Sequence, residues 1–146
     1  TSYNQMKKIL IINANYYNEI TNNLVKAAIK TLKNEKIYIK VLNVSGVFEI
    51  PISIRNNINK FDGFIALGCV IKGKTPHFDL ICKSVFDSIL NLSINFNKPI
   101  TNGIITALNK KQAYERCSKI RSNKANKGVE SARAILSFFK NGTKKI

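Results

Sequence analysis

The only histidine of the chain, His77, lies in GCVIKGKTPHFDLIC, residues Gly68 to Cys82, with two of the three cysteines, Cys69 and Cys82. Three chemistries are open to such a stretch: metal ligation, thiol redox exchange, and proton transfer beside a bound anion. Metal ligation fits poorly. Seven residues separate Cys69 from His77 and four separate His77 from Cys82, whereas zinc sites are built from closely spaced ligand pairs. Redox exchange fits no better, since Cys69 belongs to an apolar strand-like run and Cys82 to a helix face of core residues. Cysteine in such places acts as a small hydrophobe.

The anion reading uses more of the residues. Gly73 lets the backbone turn closely, Thr75 is a good helix N-cap, Pro76 suits the first helical position and Asp79 falls in the first turn. A helix start of this kind presents unpaired amides and a partial positive charge, a natural seat for phosphate. Lys72 and Lys74 add charge on either side. His77 projects beside the seat, with an imidazole suited to proton exchange near neutral pH. The plain alternative is a βα loop with an exposed histidine.

Other residues carry chemistry of a weaker kind. Glu49, one of eight acidic residues, stands between Phe48 and Ile50 in GVFEIP; a carboxylate there needs hydrogen-bond donors, which a polyhydroxyl ligand or solvent supplies. Tyr16 and Tyr17 stack on a flat heterocycle or cap the core. Asn102 reads a ring edge or completes a turn. Arg116 holds a phosphate or is an ordinary exposed helix arginine, and Lys127 is by type a solvent-facing residue near the start of the last helix.

Composition narrows the classes. The net charge of +16, from 24 basic against 8 acidic residues, invites a nucleic-acid partner. The lysines are scattered, however, only four residues are arginine, and no RNA-binding strand motif is interleaved with aromatics. Nucleic acid is therefore not the expected partner, and anionic small substrates suit the same charge. No run approaches a membrane span. The apolar part of MKKILIINA is too short for a signal core and no cleavage site follows, so a cytoplasmic protein with reduced thiols is expected.

These residues need elements to hold them. KILIINA, KIYIKVLNV, FDGFIALGCVI and ITNGIITAL read as strands, the third apolar enough to be buried on both faces. Leu24, Ala28 and Leu32 mark an amphipathic helix from Thr21, Pro51 opens a short one, and Phe78, Ile81, Val85, Ile89 and Leu92 mark a long one. Helices around Gln112 to Cys117 and from Gly128 to Phe139 complete the chain. The order β-α-β-α-β-α-β-α-α predicts one α/β domain over residues 1–146, an open parallel sheet with helices on both faces. Ligands then bind beyond the carboxyl ends of the strands, at Asn15 to Asn18, Gly46 to Pro51, Cys69 to His77 and Asn102 to Leu108.

Taken together, GVFEIP, LGCVIKGKTPHFD, NGIIT, QAYERC and NKGVESA resemble the lumazine synthase family in order and spacing along the whole chain. The resemblance implies a three-layer α/β/α, flavodoxin-like fold with a four-stranded parallel sheet. It implies a riboflavin-pathway transferase, without metal or cofactor, that joins 5-amino-6-ribitylaminouracil to 3,4-dihydroxy-2-butanone 4-phosphate. His77 would be the proton shuttle, with Lys74, Thr75 and Arg116 on the phosphate and Lys127 near it. Val47, Phe48 and Glu49 would line the ribityl chain. Tyr16 would stack on the pyrimidine, whose edge meets Cys69, Val70, Ile71 and Asn102.

The resemblance also implies a homo-oligomer with sites between subunits. A connection after Cys117 about three residues longer than in shell-forming members favours a free pentamer over a 60-subunit shell, and residues 1–6 are expected to be flexible or to pair with a neighbouring subunit. Lys72 stands where arginine is usual, Lys74 replaces an acidic or small residue, Tyr16 replaces Phe or Trp, and the threonine-acid pair after the fourth strand is missing. A pentameric riboflavin synthase of the same fold and a non-catalytic polyanion binder are the alternatives.

Overall fold

The computed structural model describes residues 6–118 and 126–141. The expectations for the amino-terminal residues 1–5 and for the lengthened connection, at 119–125, lie outside them. Four strands form the sheet: β1 (Lys7–Ala14), β2 (Ile37–Val44), β3 (Gly63–Ile71) and β4 (Ile100–Ala107). The helices are α1 (Asn18–Leu32), α2 (Ile50–Asn56, entered through a 3-10 turn at Val47–Glu49), α3 (His77–Phe96), α4 (Lys110–Glu115) and α5 (Lys127–Asn141).

All strand pairs are parallel and the order is β2-β1-β3-β4. Alternation along β1 splits the core into two layers, as side chains of period two must. Ile9 and Ile11 face Leu24 and Ala28 of α1 and Ala132 and Ile135 of α5. Leu10 and Ile12 face Ile50 and Ile54 of α2 and Val85 and Ile89 of α3. Both faces of the inner strands are covered, which is why β3 is apolar from Phe64 to Leu67. The three-layer α/β/α architecture is the one the element order implies.

Chain order reverses between β1 and β3, since the path runs from β1 out to β2 and back past β1. The crevice of such a fold opens at that reversal, beyond the carboxyl ends of the two strands.

Helix starts differ from the sequence expectations for local reasons. α1 begins at Asn18, three residues before Thr21, because the Ile20 and Thr21 amides both donate to the Tyr17 carbonyl at 3.0 Å and Thr21 is buried against the core. α4 begins at Lys110: Asn109 Oδ1 accepts from the Gln112 amide at 2.9 Å and Gln112 Oε1 accepts from the Leu108 amide at 2.8 Å, a reciprocal cap. At α3 the cap position is Pro76, with φ −71° and ψ 2°, rather than Thr75. Thr75 keeps a share of the role, its hydroxyl accepting from the His77 amide at 3.4 Å. α3 ends at Asn97, whose φ of 50° is the left-handed stop common after helices.

Candidate active site

The carboxyl ends of β1 and β3 bring the first group of candidates together. β1 stops pairing with β3 at Asn13 opposite Leu67, whereas β3 stays paired with β4 to Ile71 opposite Ala107. Residues Gly68 to Ile71 thus overhang β1, held on one side only. The amides of Phe64 and Lys72 donate toward β4, to Pro99 at 3.0 Å and Ala107 at 2.8 Å. Backbone direction alternates along a strand, so Val70 is turned to β4 while Cys69 and Ile71 present backbone groups to the open side. A flat ring with donors and acceptors on its edge fits such an overhang.

Gly68 sets how the next group approaches. A Cβ there would lie 2.8 Å from Val47 Cγ1 and 3.2 Å from Ala14 Cβ, so the absence of a side chain lets the Val47–Glu49 turn rest on the end of β3. Val47 packs into the core beneath it. Phe48, 64% exposed, and Glu49 line a cavity of about 290 Å³ with Ile52 of α2 and Ser84 and Ser88 of α3. Glu49 Oε1 accepts from the Ser45 hydroxyl at 2.8 Å, a partner that the sequence reading did not find. Tyr16, 76% exposed, forms a T-shaped pair with Tyr17, ring centroids 4.9 Å apart. Burial, followed by Tyr16 and Cys69 nearby, raises the Tyr17 pKa.

Lys72, Gly73, Lys74, Thr75, Pro76 and His77 are all exposed. Gly73 has no positive φ, and a side chain there would meet nothing within 4 Å; the turn expected of it is made without glycine's freedom. The cysteines behave as packing. Burial, followed by Cys117 nearby, pushes the Cys69 thiol up to about 12, and burial also raises Cys82 and Cys117. All three are free thiols.

The second group gathers elsewhere. Asn102, Arg116 and Lys127 line one cavity of about 340 Å³ with Phe86 of α3 and Ile104, Ile105 and Thr106 of β4. It lies along the free edge of β4. Asn102 is therefore near the amino end of that strand, not at its carboxyl end, and its Oδ1 accepts from the Ile104 amide at 2.9 Å. Arg116 is the residue that ends α4. Lys127 opens α5, its ammonium 4.0 Å from Glu130, and its amide donates to the Arg116 carbonyl at 2.8 Å. The two cavities share no residue, and His77 lines neither.

A family model described as 6,7-dimethyl-8-ribityllumazine synthase matches residues 6–141. The chain belongs to the lumazine synthase family. It is 37% identical over 138 residues to the 6,7-dimethyl-8-ribityllumazine synthase of Limosilactobacillus reuteri, with 92% of this chain and 89% of the relative covered. It is 32% identical over 136 residues to that of Bartonella bacilliformis, with 90% of each covered. The sequence resemblance to lumazine synthase is thus borne out, and the chain is an enzyme of riboflavin biosynthesis, a transferase. Among the described residues no helix is long and apolar enough to cross a membrane.

Proposed function

We propose that residues 1–146 form a single lumazine synthase domain that condenses 5-amino-6-ribitylaminouracil with 3,4-dihydroxy-2-butanone 4-phosphate, in sites completed between neighbouring copies. The separation of the two residue groups carries the reading. One copy's strand ends offer an open ring edge, a stacking face and a carboxylate, while its cation pair lies apart on the β4 edge. Docking the β4 edge of one copy against the strand ends of the next joins them. Apolar residues left exposed on α2 and α3, among them Ile52, Leu80, Leu90 and Ile94, each 58–66% exposed, supply a surface for that contact.

The residues divide the work. Tyr16 stacks on the pyrimidine, the Cys69 and Ile71 backbones meet its edge with Val70 alongside, and Asn102 of the neighbour adds an amide. Val47, Phe48 and Glu49 hold the ribityl chain, Glu49 accepting from its hydroxyls. The phosphate sits over the start of α3, on the Lys74 and Thr75 amides and hydroxyl, facing Arg116 and Lys127 from the neighbour. The ring amine attacks the ketone and loses water to give an imine. Phosphate then leaves, and the ribitylamino nitrogen closes the second ring with loss of another water. His77 moves protons to and from the departing phosphate and the carbonyl-derived carbon skeleton. Most of the acceleration comes from holding two reactants in register.

Mixing the protein with both substrates and following lumazine fluorescence tests this. Product formation dependent on both substrates supports it. Dismutation of added lumazine to riboflavin, or no turnover beside tight polyanion binding, overturns it. The assembly is proposed to be a cytoplasmic free pentamer. Light scattering at micromolar concentration distinguishes this from a shell, and a particle near a megadalton refutes it.

A further inference from the structure

Arg116 and Lys127 are separated in sequence, yet both line one cavity. Cations that receive a doubly charged phosphate need a fixed separation, because a misplaced donor loses most of its value. The hydrogen bonds around them show what fixes it. Lys127 N donates to the Arg116 carbonyl at 2.8 Å, joining the end of α4 to the start of α5. The side chain of Asn126 ties the same two ends together from both directions. Its Oδ1 accepts from the Gly128 amide at 2.8 Å and the Val129 amide at 3.1 Å, capping α5. Its Nδ2 donates to the Ser118 carbonyl at 3.2 Å, two residues past Arg116.

Both ends are also anchored to the same platform, α1. A side chain on Gly128 would collide with the Leu24 carbonyl, so α5 starts directly on the α1 backbone. On the other side Tyr114 donates to Glu19 at 2.7 Å, and the buried Cys117 accepts from Asn23 at 3.9 Å. Arg116 is bracketed by these two contacts. The Asn126 side chain bonds to both the chain leaving α4 and the first turn of α5. A carboxamide carries a capping acceptor and a donor on separate atoms that point apart.

We infer that Asn126 is a positioning residue for the phosphate-binding pair, a clasp that sets Arg116 and Lys127 at the separation one phosphate requires. The inference rests on the proposed assignment of that pair to the phosphate. Asn126→Ser separates the two roles, because a serine caps a helix nearly as well as asparagine but is too short to cap and reach Ser118 together.

In the full-length enzyme, Asn126→Ser should keep its kcat and its KM for the pyrimidine, with a melting midpoint only slightly lowered by the lost Ser118 bond. KM for the butanone phosphate and Kd for inorganic phosphate, measured by calorimetry, should rise about five-fold, the scale of one net hydrogen bond. Should Asn126→Ser melt below the assay temperature, Asn126→Asp takes its place. It caps at least as well, and comparison with the wild type at high salt screens its added charge. Arg116→Ala is measured beside it. Phosphate binding weakened in Arg116→Ala but intact at position 126 overturns the clasp and leaves the phosphate site standing. Phosphate binding intact in both overturns the site assignment and the clasp with it.

Discussion

The start of α3 and the junction of α4 with α5 both present cations, but they are built in opposite ways. From Lys72 to His77 every residue is exposed. The segment is tied by the Lys72 amide to Ala107 at 2.8 Å and by the longer His77 amide contact to Thr75 at 3.4 Å. Around Arg116 and Lys127, by contrast, one interlocked set of bonds joins Asn126, Ser118 and Gly128, and α1 supports it from below. The first region offers amides, charge and an imidazole to whatever arrives. In the proposed site the second arrives as a pre-set pair, which lowers the ordering cost of binding. On that proposal, one open half and one rigid half suit a reaction in which phosphate must first be held and then released.

Substitutions can break or sharpen that contrast. His77→Ala, on the open side, should slow turnover by about 100-fold or more, with the assembly unchanged in light scattering; unaltered turnover would remove His77 from the shuttle role. Arg116→Ala, on the rigid side, should raise KM for the butanone phosphate roughly 10- to 100-fold, as loss of a charged hydrogen bond does. A selective loss of pyrimidine affinity instead would reverse its assignment. Gly68→Ala should push the Val47–Glu49 turn away from β3, given the 2.8 Å contact with Val47, and raise KM for the pyrimidine about ten-fold. Inorganic phosphate should bind it as it binds the wild type, and weakened phosphate binding would show that the two halves are coupled.

Smaller effects follow on the open side. Lys74→Ala should weaken phosphate only two- to three-fold, because an exposed charge is screened, and the difference should vanish in high salt. A difference that persists would mean the lysine is desolvated in the assembly. The buried Cys69 gives the smallest signal. Its pKa is raised from 9.0 to about 12 in the folded chain, so the folded state holds the proton more tightly than the unfolded one. That contribution to stability is complete below pH 9 and is lost as pH rises toward 12. Melting midpoints should fall over that window, and fall less steeply in Cys69→Ala. An unchanged slope would assign the alkaline loss to other groups whose pKa values are raised, Cys117, Cys82, Tyr17 and Tyr114 among them.

Much of the fold is legible in the residue order, because the relevant signals are local. The apolar run Ile9 to Ile12 fits a strand covered on both faces, and Leu24, Ala28 and Leu32 follow the pitch of a helix. Boundaries are less legible where a residue type suits two roles. Thr21 looks like the first residue of a helix but serves as a core contact. Thr75 looks like the cap, one place before the residue that takes that position. Gly73 looks like a turn glycine and is not used as one. In the site, the sequence reading passed over Ser45, Phe86 and Asn126. Only Asn126 left a usable signal there, an asparagine placed as a cap ahead of the last helix.

The sequence by itself determined the strand and helix order, the two-sided burial of β3 and the motif set that marks the lumazine synthase family. Each depends on periodicity or spacing along a few neighbouring residues. Only the tertiary structure decided which of the marked residues are neighbours. It placed Asn102, Arg116 and Lys127 in one cavity on the β4 edge, apart from Phe48 and Glu49, and freed one side of β3 beyond Leu67. The physical reason is that these relations rest on strand register, on where β1 ends, and on the close approaches that Gly68 and Gly128 permit. Contacts of that kind join residues tens of positions apart, and spacing along the chain does not encode them.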